Sequence, residues 1–197
     1  MALSHAILAV LANRPCSGYD LAKQFDGSVG FFWHSTHQQI YRELTKLEER
    51  DLVDLAVINQ DGKPDRKCYT INSLGQAHLR EWILLPTDLE PVKEELLVKL
   101  FVGHLVPIAE LVALLQQQRS LHVEKLATYE SIEQQFLAHP GGLSMELRCQ
   151  YLTLRAGIHN ETGWLNWLDE AIDHLEQVGS TLNTKEREFN NPEDFIE

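Results

Sequence analysis

The sequence predicts a mainly α-helical protein with one small β wing: an N-terminal winged helix-turn-helix followed by an all-helical second half. Three observations lead there. Residues 35–50 combine a capping pattern with an apolar stripe at helical spacing. Residues 52–58 and 66–72 follow at once as two β-branched runs around a polar turn, the pattern of a hairpin. Residues 91–178 then read as helices, the last of which keeps a four-three apolar register almost throughout.

Taken in order, Ser4 to Ala12 reads as a helix with Leu3, Ile7, Leu8 and Leu11 on its inner side. Arg14-Pro15-Cys16-Ser17 reads as a turn. A second helix starts at Ser17 or Gly18 and runs to about Phe25, with Leu21, Ala22 and Phe25 inward. Asp26 to Gly30 is a loop, and Phe31-Phe32-Trp33 fills core rather than forming a ligand box. In the 35–50 helix, Ser35 is the expected cap, and Gln38, three residues on, completes the capping box. Ile40, Leu44 and Leu47 face inward, which leaves His37, Gln38, Tyr41, Arg42, Thr45 and Lys46 on other faces. Ser73 to about Leu85 is a helix that Pro86 ends, and the domain boundary falls there, giving units 1–86 and 87–197.

The second half reads as three helices: Pro91 to Val102, closed at Gly103; Pro107 to about Leu137, stopped by His139-Pro140-Gly141-Gly142; and Ser144 to about Val178. The last carries Leu147, Tyr151, Leu154, Ile158, Leu165, Leu168, Ile172 and Leu175 in a four-three register, and such a seam asks for a partner helix. One helical hairpin cannot bury both of its seams, so a homodimer is expected. The tail from 180 is polar and expected to be mobile, with Phe189 and Phe195 as docking residues.

Bulk properties bound the function. The net charge of −12 argues against nucleic acid until the chain is divided. Residues 1–86 hold 9 Lys and Arg against 10 Asp and Glu, whereas 87–197 hold 8 against 19. The acid lies in the second half, and the first half is near neutral with local positive charge at Arg42, Lys46, Lys63, Arg66 and Lys67. No apolar run reaches the ~18 residues of a membrane span. Ala6 to Ala12 lacks a preceding basic region and reads as a short buried helix, not a signal peptide. Three scattered cysteines, Cys16, Cys68 and Cys149, make neither a disulfide framework nor a zinc site and suit a reduced cytoplasm. His34 and His37 have no third ligand nearby, so no metal is expected. No nucleophile, carboxylate pair or phosphate loop stands out, so neither an enzyme nor a cofactor is expected.

A helix followed by a hairpin with basic residues near its tip fits a module that lays the helix in the major groove and the loop on the neighbouring backbone. Gln38 and Gln39 open the helix and are candidates for base readout, since glutamine can make two hydrogen bonds to adenine; the alternative is a solvated helix start. His37 is a candidate for a base or phosphate contact, and Tyr41 and Arg42 for the backbone or groove edge, with packing on the wing as the alternative for Tyr41. Lys46 serves either a phosphate or a helix-surface ion pair near Glu49. Lys63, Arg66 and Lys67 form the wing cluster, assigned to the backbone or minor groove. Tyr19 opens the second helix and reaches a phosphate or packs in the core. In the second half, Glu161 is the odd charge in the seam. It marks a polar pocket or register contact in the dimer, or faces solvent where Gly157 or Gly163 bends the helix. Trp164 and Trp167 either line a ligand cavity or pack between helices.

The residues also carry a resemblance. Gln-Gln-Ile-Tyr-Arg-Glu-Leu at 38–44, Lys46-Leu47-Glu48, Leu52-Val53, Gly62-Lys63-Pro64-Asp65-Arg66-Lys67, Tyr69 and Gly75 resemble the PadR family of bacterial transcriptional regulators. Gly18-Tyr19-Asp20-Leu21, Phe32-Trp33, Leu152-Thr153-Leu154-Arg155 and Trp164 to Asp169 extend the likeness over most of the chain, nearest to the quorum-controlled virulence-activator branch of vibrios. Two departures fall at turns: Asp51 stands where the family usually has glycine, and Ser73 interrupts the usual Thr-x-x-Gly run. Asp51 therefore has to take a left-handed backbone. The resemblance implies an antiparallel coiled-coil-like dimer through the second half and double-stranded DNA at a pseudo-palindromic promoter site as partner. It admits a second transcription regulator at that promoter. Some relatives bind aromatic or phenolic effectors near the interface, whereas the virulence-activator branch implies control by abundance.

Overall fold

The structure, a computed structural model, describes residues 2–25, 33, 35–59, 66–89, 93–138 and 142–189, with side chains from residue 3 to residue 181. The chain divides into two compact units, Met1–Glu90 and Pro91–Glu197.

The first unit contains α1 (Ala2–Asn13), β1 (Cys16–Ser17), α2 (Gly18–Phe25), α3 (His37–Glu49), β2 (Val53–Ile58), β3 (Arg66–Ile71) and α4 (Ser73–Ile83). Ile7, Leu8 and Leu11 of α1 meet Leu21 and Ala22 of α2 and Ile40, Leu44 and Leu47 of α3 in one core, to which Tyr69 and Ile71 of the sheet also belong. The sheet is antiparallel in the order β1-β3-β2, with Val53 opposite Ile71 and Leu55 opposite Tyr69. The expected turn at 14–17 is partly a strand: Cys16 and Ser17 pair with Tyr69 and Cys68. Two residues are too few to display strand alternation, and the open edge of β3 supplies their pairing. Trp33 packs against the core; Phe31, Phe32 and His34 lie outside the described residues.

Asp51 adopts the left-handed conformation, φ 55°, as expected. Its carbonyl accepts a 2.9 Å hydrogen bond from the Asn72 side-chain amide, which ties the end of α3 to the start of α4. Asn72 also caps α4, accepting from Gly75 N at 2.9 Å, and Ser73 enters α4 at its first position. Gly75 fits because it has no side chain: a Cβ there would lie 2.1 Å from the Leu52 carbonyl oxygen.

The second unit contains α5 (Glu95–Phe101), a 3₁₀ turn (Gly103–Leu105), α6 (Ile108–Leu137) and α7 (Met145–Phe189). Leu96, Val112, Leu115, Leu168 and Ile172 form its core. Arg119 pairs with Asp169 and Arg155 with Glu133, contacts that run in opposite senses along the two long helices, so α6 and α7 make an antiparallel hairpin. Tyr129 of α6 lies over Gly157 of α7, where a Cβ would come within 2.9 Å of the ring. The expected end of α7 at about Val178 is corrected: the helix continues to Phe189, because no residue before Pro192 breaks it. The tail from 180 is thus helical to 189, and Phe195 lies outside the described residues. No helix among the described residues is long and apolar enough to cross a membrane.

Candidate nucleic-acid interface

The start of α3 is set by a capping box one residue later than expected. Thr36, not Ser35, is the cap: its hydroxyl accepts from Gln39 N at 3.3 Å, and Gln39 Oε1 accepts from Thr36 N at 2.9 Å. The Ser/Thr-x-x-Gln pattern is present in both registers, Ser35 to Gln38 and Thr36 to Gln39, so sequence alone does not choose between them. Gln39 is therefore engaged in holding the helix start. His37, Gln38, Tyr41, Arg42 and Thr45 are all exposed, while Ile40, Leu44 and Leu47 anchor the helix with no exposure at all. Among the described residues, the side chains of Gln38, Arg42 and Lys67 have no hydrogen-bond or ion-pair partner.

Three site residues are partnered in ways the spacing did not indicate. Lys46 Nζ donates to Glu43 at 3.0 Å, one helical turn back, rather than meeting Glu49. Tyr41 packs over Gly18 at the start of α2; a Cβ on Gly18 would lie 2.4 Å from its ring. Arg66, the first residue of β3, pairs with Asp20 of α2. Asp20 also closes a capping box at the start of α2: Ser17 Oγ donates to its carboxylate at 2.7 Å and accepts from Asp20 N at 3.2 Å. The Ser17 hydroxyl bond, with Arg66 beside it, holds the Asp20 carboxyl below its ordinary range against the opposing effect of burial. The Ser17-x-x-Asp20 spacing was the signal from which this tie could have been read. Tyr19 is 67% exposed, so it is not a core residue. Lys67 is exposed on β3 opposite Val57, and Lys63 lies outside the described residues.

In the second unit Glu161 does not face solvent; it is 1% exposed between α6 and α7. Its carboxylate accepts from His122 Nδ1 at 2.5 Å and from Lys125 Nζ at 2.8 Å. Burial raises the Glu161 carboxyl, but the two hydrogen bonds outweigh it and hold the group below the ordinary value. Trp164 stacks on His122 with centroids 5.3 Å apart and meets Trp167 edge-on at 5.3 Å. Both indoles pack against the core of the hairpin. No metal-binding cluster of three or more ligands occurs among the described residues.

Two family models match the chain: the transcriptional regulator PadR-like family over residues 7–81, and the virulence activator alpha C-terminal region over 92–176. The probable transcriptional regulator Rv1176c of Mycobacterium tuberculosis is 38% identical across 90% of this chain and 99% of its own length. Bacillus subtilis PadR, solved in complex with operator DNA, superposes with a TM-score of 0.81 at 26% identity, covering 88% of this chain and 98% of that one. The Vibrio cholerae virulence activator AphA gives a TM-score of 0.71 at 33% identity, covering 89% and 99%. These relatives are regulators of transcription rather than enzymes. The resemblance read from residues 38–44 and the wing is thereby confirmed, and the chain belongs to the PadR-like family of transcriptional regulators.

Proposed function

We propose that this protein acts as a cytoplasmic homodimer that binds a pseudo-palindromic promoter site, with α3 in the major groove and the wing on the backbone or minor groove. The observation that carries the reading is the face of α3. The capping box at Thr36 and the three buried anchors leave His37, Gln38, Tyr41 and Arg42 outward together. Gln38 is the base reader, because its amide is unengaged, whereas Gln39 serves the cap. Tyr19, Tyr41 and Arg42 contact the groove edge and phosphates, and Lys67 and Arg66 hold the backbone with Lys63 of the wing tip. The DNA complex of Bacillus subtilis PadR supports this use of the fold.

The dimer is supported by apolar surface that the second unit leaves open, with Phe101 87% and Leu105 73% exposed. Two copies of α3 then read half-sites about 34 Å apart. The test is binding to promoter fragments across a salt series. Arg66→Ala is expected to weaken every sequence and flatten the salt slope; an unchanged affinity at all salt concentrations contradicts the wing assignment.

A second reading is release from DNA by an aromatic or phenolic ligand near Trp164 and Trp167. It is favoured by the solved complex of Bacillus subtilis PadR with p-coumaric acid. Quenching of tryptophan fluorescence by such compounds, with loss of DNA, is its signature; no quenching up to millimolar ligand excludes it.

A further inference from the structure

Away from the α3 face, the first unit holds a cavity of about 600 Å³. It opens between the turn before β1, α2 and the start of β3, and Arg14, Cys16, Asp20, Lys23, Gln24 and Arg66 line it. Three of these six are cations and one is an anion. The anion is already engaged by the Ser17 hydroxyl and by Arg66. Arg14 and Lys23 have no ion-pair partner among the described residues. At the wall, the buried Nε2 of Gln24 is a donor without an acceptor. Burial pushes the Cys16 thiol up to about 11, so it stays neutral and adds no negative charge at neutral pH. The hollow thus gathers a net positive charge and one unused buried donor around a single carboxylate, whose bonds from Ser17 and Arg66 all fall on Oδ2.

That combination selects an anion with several oxygens. We propose that the hollow is a phosphate seat in which Arg14, Lys23 and Arg66 hold a phosphate group and Gln24 turns to donate from the wall. Asp20 is the competing anion, since a phosphate entering the seat meets its carboxylate at Arg66. The source of the phosphate is the DNA backbone beside the groove that α3 occupies, because the wing residue Arg66 belongs to both sites. Only this choice of source, and not the seat itself, rests on the DNA-binding reading above.

The test uses the full chain and two variants whose effects have opposite sign. Arg14→Ala/Lys23→Ala removes two cations that carry no packing role. Asp20→Asn keeps an oxygen for the Ser17 cap and removes the competing charge. Binding of labelled duplex is followed across a salt series, and binding of inorganic pyrophosphate is followed by calorimetry in the absence of DNA. The double variant is expected to weaken all duplexes about tenfold or more at low salt, with a shallower salt slope of about one unit per phosphate lost. Asp20→Asn is expected to tighten them. If duplex binding is unchanged but pyrophosphate binds the wild type and not the double variant, the seat stands and takes a free phosphate compound. If the wild type binds no duplex at all, the DNA reading fails and the pyrophosphate arm alone decides the seat. The proposal is overturned if both variants match wild type in both measurements. It is equally overturned if Arg80→Ala, which removes one cation on α4 outside the hollow, weakens duplex binding as much per charge removed.

Discussion

The side-chain oxygen of Gln39 accepts the backbone N–H of Thr36 at 2.9 Å, and the Thr36 hydroxyl accepts the backbone N–H of Gln39 in return. This reciprocal pair sets where α3 begins and so which residues form its first exposed turn. It separates two adjacent glutamines that look equivalent in the sequence. Gln39→Ala is expected to lower stability by about 1 kcal/mol in urea denaturation, the usual loss for a broken helix cap. Gln38→Ala is expected to leave stability within about 0.5 kcal/mol and to change base preference at one position of the bound site. The reverse pattern in the two variants contradicts the assigned register.

Two glycines make contrasting expectations. A Cβ on Gly75 meets the Leu52 carbonyl at 2.1 Å, and backbone at the end of α3 cannot yield without shifting the turn. Gly75→Ala is therefore expected to destabilise by about 3 kcal/mol or more, seen as a lower urea midpoint. The three atoms nearest a Cβ on Gly18 all belong to the Tyr41 ring, the end of a side chain that is 46% exposed. Gly18→Ala is expected to unfold within about 1 kcal/mol of wild type yet bind DNA more weakly, because Tyr41 is displaced from the α3 face.

Glu161 gives the second unit a pH-dependent stability. Its folded carboxyl lies below the ordinary 4.5, so its stabilising contribution is complete above that value and is lost as pH falls through the lower folded value. Glu161→Gln removes the charge that His122 and Lys125 share and is expected to lower stability at pH 7 by about 2 kcal/mol, the scale of hydrogen bonds to a charged group. The variant is also expected to lose stability less steeply below pH 4.5. Thermal unfolding at pH 7 and pH 3.5 reads both effects, and parallel losses in wild type and variant would show that Glu161 titrates alike folded and unfolded.

Much of this architecture was legible because helical spacing and turn chemistry agree along the chain. Ile40, Leu44 and Leu47 marked the buried side of α3, and Asp51 marked a left-handed turn. What stayed hidden depended on partners distant in sequence. Asp20 meets Arg66 forty-six residues away, and Glu161 meets His122 thirty-nine residues away. A charged residue in an apolar register reads as a bend toward solvent when the helix that neutralises it is not yet in place. The strand at Cys16–Ser17 was hidden for the same reason, since its pairing is supplied by β3. Among the candidate site residues, exposure of Gln38 followed from position, but the exposure of Tyr19 and the engagement of Lys46, Gln39 and Arg66 needed the fold.

The proposed dimer rests on the apolar surface that the second unit leaves open. Phe101→Asp/Leu105→Asp is expected to shift the mass from two chains to one in sedimentation velocity at micromolar concentration, and to weaken DNA binding along with it. A dimer of unchanged strength places the interface away from Phe101 and Leu105, on α6 or α7.

The central claim is that paired copies of α3 read sequence through Gln38. It is tested most directly by selecting bound duplexes from random DNA with purified full-length protein, in parallel for wild type and Gln38→Ala. The expected result is a twofold-symmetric motif with half-sites about one helical turn apart, altered by the variant at the same position in each half. No enriched motif at low salt, or one that Gln38→Ala leaves untouched, contradicts it.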